Sequence, residues 1–319
     1  EKYDQYPPFQ RYSSVVADTR QLTGFFEVHE NVPEHKIIHS LLQKSVHYQN
    51  SIIPSIRTNA IVTSEDISQL YRIDWSIEPV QNVYKAIKKL TYCYLSGSSF
   101  EISLYNSILQ SITLKLPELQ DQQIKILIQC SIALNDVTER SYFYNNFLKA
   151  LNKECLERFF PANSNQLLLM SDGFYQLKDY NSDYLWRAMR KLSGKPQSLS
   201  AKNLVQVMFL LNVANLGSVV NMFEIEYRLE ECLYELTGDE IGIIARGFFL
   251  RKRGIRNKNL MPAIMSRITS CVQQMHSTSL ASTMKLIRYS DSLHCLSEFQ
   301  ELLIALRKEI PRLSLKCLT

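Results

Sequence analysis

The sequence has little glycine, with nine Gly among 319 residues. It also lacks the alternating runs of Val, Ile and Thr that predict β-strands. These two deficits argue against a sheet-rich enzyme and favour an all-helical chain. The composition is otherwise typical of a globular protein, with 45% hydrophobic and 21% charged residues, and the length allows two domains or one long array.

Long apolar runs are absent as well. No stretch of about eighteen consecutive apolar residues occurs, so the sequence predicts no membrane span. The formal net charge is +5. A mildly basic chain of this kind permits a polyanionic partner without requiring one.

Paired cysteines are missing too. The seven Cys are odd in number and scattered, and none belongs to a CxxC pair. This usage is typical of a reducing compartment, in which buried thiols serve as small core residues.

No catalytic motif is present. The sequence contains no Walker loop, GxGxxG, HExxH or GxSxG, and no HRD or DFG triplet of a kinase. His35 and His39 are four residues apart and could share a helix face, but no third metal ligand accompanies them. The sequence therefore predicts no enzymatic activity, no metal site and no cofactor.

The most informative stretch runs from Thr237 to Met275 and predicts a helical hairpin. Thr237 and Glu240 have the spacing of a capping box, so a helix is expected to begin at Gly238. An apolar stripe with helical spacing follows, and Gly254 is the expected end. A second helix is expected from Leu260, capped by Asn257 or Asn259. Neither helix can bury its stripe alone, so the hairpin needs neighbours.

Similar helix pairs are predicted from about residue 79 onward. The first helices are expected at 79–95, 119–134, 163–177, 201–215, 238–253 and 279–289. The second helices are expected at 101–114, 139–159, 182–192, 219–236, 260–275 and 293–308.

The first buried position of successive first helices recurs at a nearly constant step. These positions are Ile124, Leu167, Leu204, Ile241 and Leu280, at spacings of 43, 37, 37 and 39 residues. Positions three and seven residues later are mostly apolar as well. A repeat of this length indicates stacked helix pairs, which predicts a right-handed α-solenoid. A closed antiparallel helical bundle is the alternative.

We expect three regions. Residues 1–78 form an N-terminal arm and an irregular segment, with helices at 33–48 and after Ser64. Residues 79–236 form the helical-repeat array, and residues 237–319 continue it. Because the sequence opens on Glu1 and its last residues, 310–319, look like the start of another first helix, we interpret it as part of a longer chain.

A basic turn lies inside the hairpin. Six cations fall between residues 246 and 258 without an acidic residue, and two more Arg follow on later helices. Clustered cations can neutralise phosphates, and Arg can bind a phosphate with two donors or stack on a base. The predicted RNA-binding residues are Arg246, Arg251, Lys252, Arg253, Arg256, Lys258, Arg267 and Arg288. The alternative is a helix end with favourable charges and a solvated loop.

Other cations lie close to aromatic residues on several helices. The cations are Lys85, Lys88, Lys89, Arg187, Arg190, Lys191, Lys195 and Lys285, and the rings are Tyr175, Tyr180, Tyr184, Trp186 and Tyr289. Gathered on one concave face, they would form a groove for single-stranded nucleic acid. The alternative is that the rings pack in the core.

The stretch GDEIGIIARGFFLRKRGIRNKNLMPAIMSRI, with the helices that follow over 280–306, resembles the first conserved subdomain of the FAST-kinase-like family of mitochondrial RNA proteins. The resemblance implies repeats similar to octotricopeptide and pentatricopeptide arrays, and a role in RNA processing, stability or translation in the mitochondrial matrix. It implies no kinase activity. Members of the family end in a second subdomain and a nuclease-like RAP domain, and this sequence stops before both, so no RNA-cleaving residue is carried over.

Two functions remain open from the sequence. The first is an RNA-binding helical-repeat protein whose partners are a single-stranded mitochondrial transcript or rRNA, together with proteins of a ribonucleoprotein assembly. The second is a protein-interaction scaffold that binds a peptide or another subunit in its groove.

Overall fold

The computed structural model describes residues 34–45, 64–135, 141–161, 163–216, 220–248, 255–290 and 296–312. These residues form fourteen α-helices and no β-strand, which confirms the predicted all-α class. The helices are α1 (Glu34–Gln43), α2 (Ser64–Leu70), α3 (Val80–Leu95), α4 (Ile102–Lys115), α5 (Asp121–Ala133), α6 (Tyr142–Phe159), α7 (Ser164–Gln176), α8 (Asp183–Ser193), α9 (Ala201–Val213), α10 (Met222–Cys232), α11 (Gly238–Phe248), α12 (Leu260–Cys271), α13 (Ser277–Tyr289) and α14 (Leu296–Glu309).

The helices from α3 to α14 pack in two rows. The first-helix row contains α3, α5, α7, α9, α11 and α13, and each of these helices contacts the next one in the row. The second-helix row contains α4, α6, α8, α10, α12 and α14, which contact one another in the same successive order. All twelve helices lie where pairs were predicted. Two second helices, α10 and α12, end earlier than expected because the chain tightens into 3-10 turns at Leu233–Glu235 and Val272–Gln274.

The hydrophobic core lies between the two rows. The five expected start positions, the five positions three residues later and the five positions seven residues later are all buried. The polar members are included, because Ser131 and Thr283 each donate their hydroxyl to a backbone carbonyl one turn earlier in their own helix. The fifteen positions chosen from the sequence spacing are therefore all buried in the structure.

Side-chain caps set where the helices begin. Thr237 and Glu240 form the predicted capping box: the Thr237 N–H donates to Glu240 Oε2 at 2.8 Å, and the Glu240 N–H donates to Thr237 Oγ1 at 3.3 Å. Ser141 and Asn221 accept in the same way from amides in the first turns of α6 and α10. These caps explain why both helices start later than predicted. The predicted end of the 238–253 helix at Gly254 lies outside the described residues.

Three first helices end in the same backbone turn. The second residue after α3, α7 and α9 has positive φ: Gly97 at 82°, Lys178 at 58° and Asn215 at 53°. At each end, the next residue donates its N–H to a carbonyl five residues earlier, as in a Schellman motif. Lys178 therefore has a conformation that costs about 1–2 kcal/mol for a residue with a Cβ.

A repeated contact joins five of the six second helices to the start of their own pairs. A cation in the second helix donates to the backbone carbonyl that lies two to four residues before the first helix. This carbonyl ladder consists of Lys115 to Glu78, Arg158 to Leu119, Lys191 to Phe160, Arg228 to Leu199 and Arg267 to Leu236. These carbonyls lie just before a first helix, so a cationic donor stabilises the entry to that helix.

The first helices approach one another closely at α11. A Cβ added to Gly242 would lie 2.5 Å from Ser279 Cβ on α13, so only glycine fits between these two backbones.

No described helix is long and apolar enough to cross a membrane. Five thiols lie in the core, namely Cys93, Cys130, Cys155, Cys232 and Cys271, and all are free. Cys295 and Cys317 lie outside the described residues.

Candidate nucleic-acid interface

The predicted basic turn is described only in part. Arg251, Lys252 and Arg253 lie outside the described residues. Among the others, Arg256, Lys258 and Arg288 have exposed side chains. The structure therefore gives positions for five of the eight predicted RNA-binding residues.

Two carboxylates of α10 lie against this turn. The backbone N–H groups of Arg256 and Asn257 both donate to Glu226 Oε2 at 2.8 Å. The Asn257 side-chain amide donates to Glu230 Oε2 at 2.5 Å. The sequence window around the turn contains no acid, but the fold brings two carboxylates to it from the preceding second helix. Their charges reduce the positive potential at the turn.

Two predicted binding residues are engaged within the protein. Arg246 Nη1 lies 2.9 Å from Glu34 Oε2 of α1, and the Arg246 side chain is only 16% exposed. The guanidinium of Arg267 donates two hydrogen bonds to the Leu236 carbonyl as part of the carbonyl ladder. Both side chains therefore hold parts of the fold together in this structure.

The predicted cations do not gather on one face. Lys85, Lys88, Arg246 and Arg288 belong to the first-helix row, whereas Arg187, Arg190, Lys191 and Arg267 belong to the second-helix row. Because each row forms one side of the helix pairs, a single groove cannot collect both sets. Arg187, Arg190 and Lys191 lie together on the exposed face of α8.

The cations of α8 line an open cavity of about 570 Å³ between this helix and the end of α6. The cap residue Ser182 sets the start of α8, and the face with Tyr184, Leu185, Ala188, Met189 and Leu192 is buried. The opposite face is exposed and basic. The cavity is lined by Phe160, Trp186, Arg187, Arg190, Lys191, Gly194 and Lys195, with no carboxylate among them.

Aromatic rings and cations are paired in this α8 cavity. Arg190 Cζ lies 5.4 Å from the centre of the Trp186 ring. Lys191 Nζ lies 4.9 Å from the centre of the Phe160 ring and donates to the Phe160 carbonyl at 2.8 Å. Trp186 is 37% exposed, so part of its ring remains open to a ligand. A partly open indole among four cations can stack a base while the cations neutralise the adjoining phosphates.

A second exposed aromatic pair lies on α10, the next helix of the second-helix row. Phe223 and Tyr227 form an edge-to-face pair with centroids 4.8 Å apart, and they are 36% and 43% exposed. Phe223 precedes the ladder residue Arg228 by five residues, as Trp186 precedes Lys191. The two aromatic side chains therefore occupy equivalent positions on neighbouring helices that contact each other.

Some of the rings proposed for stacking lie in the core. Tyr184 and Tyr175 are buried, and burial raises the pKa of both phenols. Sequence reasoning missed Phe223 and Tyr227, although they lie on the polar side of an amphipathic helix. The position of a ring on the polar face of a helix is the sequence signal that distinguishes a surface aromatic residue from a core one.

Of the two histidines His35 and His39, His39 takes part in helix packing. His39 Nε2 lies 3.4 Å from Asp172 Oδ1 on α7, and its ring packs against Tyr175 and Phe209. Within the part of the chain that the structure describes, no three His, Cys, Asp or Glu side chains come together to hold a metal ion.

No protein-family model, curated protein or solved structure matches this chain. The resemblance to FAST-kinase-like proteins thus rests on the sequence alone.

Proposed function

We propose that this chain is an RNA-binding helical-repeat protein whose helix pairs stack as a right-handed α-solenoid. The two rows of successively packed helices and the burial of all period-derived positions support the solenoid. Its resemblance to FAST-kinase-like proteins supports a place in the mitochondrial matrix, in RNA processing, stability or translation. The chain binds RNA and does not cleave it in this proposal.

The observation that carries RNA binding is the α8 cavity. Four cations surround a partly exposed indole, and no carboxylate lines the cavity. A site for a cationic ligand would be expected to contain a carboxylate, and this cavity has none. A site for phosphate alone would not need an exposed aromatic ring, and this cavity has one. The combination fits a chain of nucleotides, in which charge and an aromatic face alternate.

The binding would depend on phosphate contacts with limited reading of sequence. Arg187, Arg190 and Lys195 are exposed and face the cavity, whereas Lys191 also holds the Phe160 carbonyl. Phe223 and Tyr227 on α10 would extend the stacking surface by one repeat. Because most of the binding free energy would come from counterion release, the affinity for RNA should fall steeply as the salt concentration rises.

Charge reversal on α8 tests this proposal. The variant Arg187→Glu/Arg190→Glu and the control Arg307→Glu/Lys308→Glu change the net charge equally, and the control pair is exposed on α14 of the same row. Anisotropy of a labelled single-stranded RNA should show a loss of about tenfold or more for the α8 variant and little change for the control. If both variants lost RNA affinity equally, the loss would be explained by net charge alone. If neither variant lost affinity, the proposal of an RNA site at α8 would be wrong.

A protein-interaction scaffold is the second candidate, and one observation favours it. Helix α1 packs across α9, α11 and α13, so the first-helix row accommodates a helical segment. A native complex that survives nuclease treatment and high salt would support this candidate, whereas loss of the complex under either treatment would support RNA binding.

A further inference from the structure

Helices α8 and α10 present the same surface pattern at corresponding positions, with one difference in charge. Trp186 and Phe223 are 37 residues apart in the sequence, and so are Arg187 and Glu224, which follow them. All four residues are exposed. The position after the exposed ring therefore carries a cation on α8 and a carboxylate on α10.

The correspondence continues one turn further along each helix. Arg190 and Tyr227 are also 37 residues apart, and they lie three positions after Arg187 and Glu224. Residues with this spacing are neighbours on the surface of a helix. Arg187 therefore has a second Arg as its neighbour, whereas Glu224 lies beside the rings of Phe223 and Tyr227.

An exposed ring at this position is restricted to two of the five helices that form the carbonyl ladder. Five residues before the ladder cation, α8 has Trp186 and α10 has Phe223. The corresponding residues of α4, α6 and α12 are Gln110, Lys153 and Pro262. A base is therefore expected to stack at two neighbouring repeats, and not along the whole array.

The cavity at α8 offers hydrogen-bond donors. All of its charged side chains carry N–H groups and no acceptor, namely Arg187, Arg190, Lys191 and Lys195. Asp183, in the first turn of α8, does not line this cavity. A base stacked on Trp186 is therefore held best when its edge presents acceptors to these cations, such as O4 of uracil or O6 and N7 of guanine.

The exposed face of α10 offers an acceptor instead. Its single cation, Arg228, donates to the Leu199 carbonyl and lies 3.0 Å from Glu231 Oε2, so this guanidinium is engaged within the protein. The exposed side chain of Glu224 makes no hydrogen bond or ion pair with the residues that the structure describes. A carboxylate accepts from an exocyclic amine, such as N4 of cytosine, and repels the carbonyl oxygens of uracil.

We propose that Arg187 and Glu224 select different bases of one bound RNA strand. Arg187 favours uracil or guanine on the ring of Trp186, and Glu224 favours cytosine or adenine on the rings of Phe223 and Tyr227. Helices α8 and α10 contact each other, so one strand can cross both. This inference rests on the proposed RNA binding, to which it adds a base preference at two positions.

The affinities for oligouridine and oligocytidine of about twelve nucleotides test this selection. The two pyrimidines present a carbonyl or an amine at the same ring position, so the ratio of the two affinities reports base selection and cancels the phosphate contacts. In the 319-residue chain, Glu224→Arg should raise the ratio of oligouridine affinity to oligocytidine affinity by about fivefold. Arg187→Glu should lower the same ratio by about fivefold.

Two further variants separate base selection from net charge. Arg187→Glu/Glu224→Arg exchanges the two groups and keeps the net charge, so its affinity ratio should stay within about twofold of that of the unaltered chain. Glu235→Arg makes the same charge change as Glu224→Arg at an exposed position after α10. It should strengthen binding of both oligonucleotides and leave their ratio unchanged. Thermal unfolding verifies that each variant is folded.

Three outcomes would overturn the selection, and they are distinguishable. If Glu224→Arg binds RNA with the ratio of the unaltered chain, selection by Glu224 is wrong and RNA binding stands. If Glu235→Arg shifts the ratio as much as Glu224→Arg, net charge explains the shift and the selection is again wrong. If the unaltered chain binds neither oligonucleotide, RNA binding itself is wrong, and this inference fails with it.

Discussion

The guanidinium of Arg267 donates to the carbonyl of Leu236 through Nε at 3.2 Å and Nη2 at 2.9 Å. The sequence suggested Arg267 as a phosphate ligand because it follows a basic turn. In the structure it is the fifth member of the carbonyl ladder, in which a cation of five second helices donates to the backbone carbonyl just before the first helix of its own pair. The hydrogen bonds to Leu236 therefore explain the presence of Arg267 at this position without a bound ligand.

Arg267→Met should therefore reduce stability more than it reduces RNA affinity. It removes both hydrogen bonds to the Leu236 carbonyl and a third to Ser270 Oγ, so the free energy of unfolding should fall by about 1–3 kcal/mol in a urea titration. Arg288→Met is the matched control, since Arg288 is exposed on α13 and should change stability by less than about 0.5 kcal/mol. Equal stability of the two variants would contradict the structural role of the ladder.

Lys178→Gly should stabilise the chain. Lys178 has φ of 58° at the end of α7, a conformation that glycine adopts at lower cost, so the free energy of unfolding should rise by up to about 1 kcal/mol. Gly97→Ala makes the opposite change at the corresponding place after α3, where no atom lies within 4 Å of an added Cβ. A loss of stability there and a gain at Lys178, measured by thermal unfolding, would isolate the backbone effect; two losses would contradict it.

The described thiols should be unreactive in the folded protein. Burial raises the pKa of all five, and that of Cys130 to about 11. The thiol is the stable form below its pKa and the thiolate is the nucleophile, so at pH 8 these groups stay protonated. In a Cys295→Ser/Cys317→Ser chain, a thiol reagent should label none rapidly until urea unfolds the protein. Rapid labelling of a folded sample would show that the core opens.

Trp186→Ala separates stacking from charge. Loss of one stacked base should cost about 1–3 kcal/mol of RNA binding, while the dependence of affinity on salt should stay the same because no phosphate contact is removed. Arg190→Gln should instead reduce the slope of log affinity against log salt by about 0.7 for each phosphate released. A changed slope for Trp186→Ala would mean that the indole acts only by positioning Arg190.

Local signals predicted much of the fold. The capping box of Thr237 and Glu240 gave the start of α11, and the spacing from Ile124 to Leu280 identified buried positions on five successive helices of the first-helix row. Helix ends were less predictable, since the 3-10 turns after the second helices depend on packing against the next pair. Helical periodicity predicts which face of a helix is buried. For these helices that was enough to identify the core residues.

The candidate site depended on contacts that no local pattern contains. Glu226 reaches the basic turn from α10, and Glu34 reaches Arg246 across more than 200 positions of sequence. Tyr184 and Trp186 are two residues apart on α8, yet one is buried and the other is partly exposed. Charge and aromatic content gave several candidate segments, and the fold decides which of their side chains are exposed.

Photo-crosslinking of the 319-residue chain to single-stranded RNA, with the crosslinked peptides mapped by mass spectrometry, tests RNA binding at α8 most directly. The account predicts crosslinks in the segment from Trp186 to Lys195 and at Phe223 or Tyr227, all abolished by competitor RNA. Crosslinks confined to other segments, or none above the level of an unrelated protein, would contradict it.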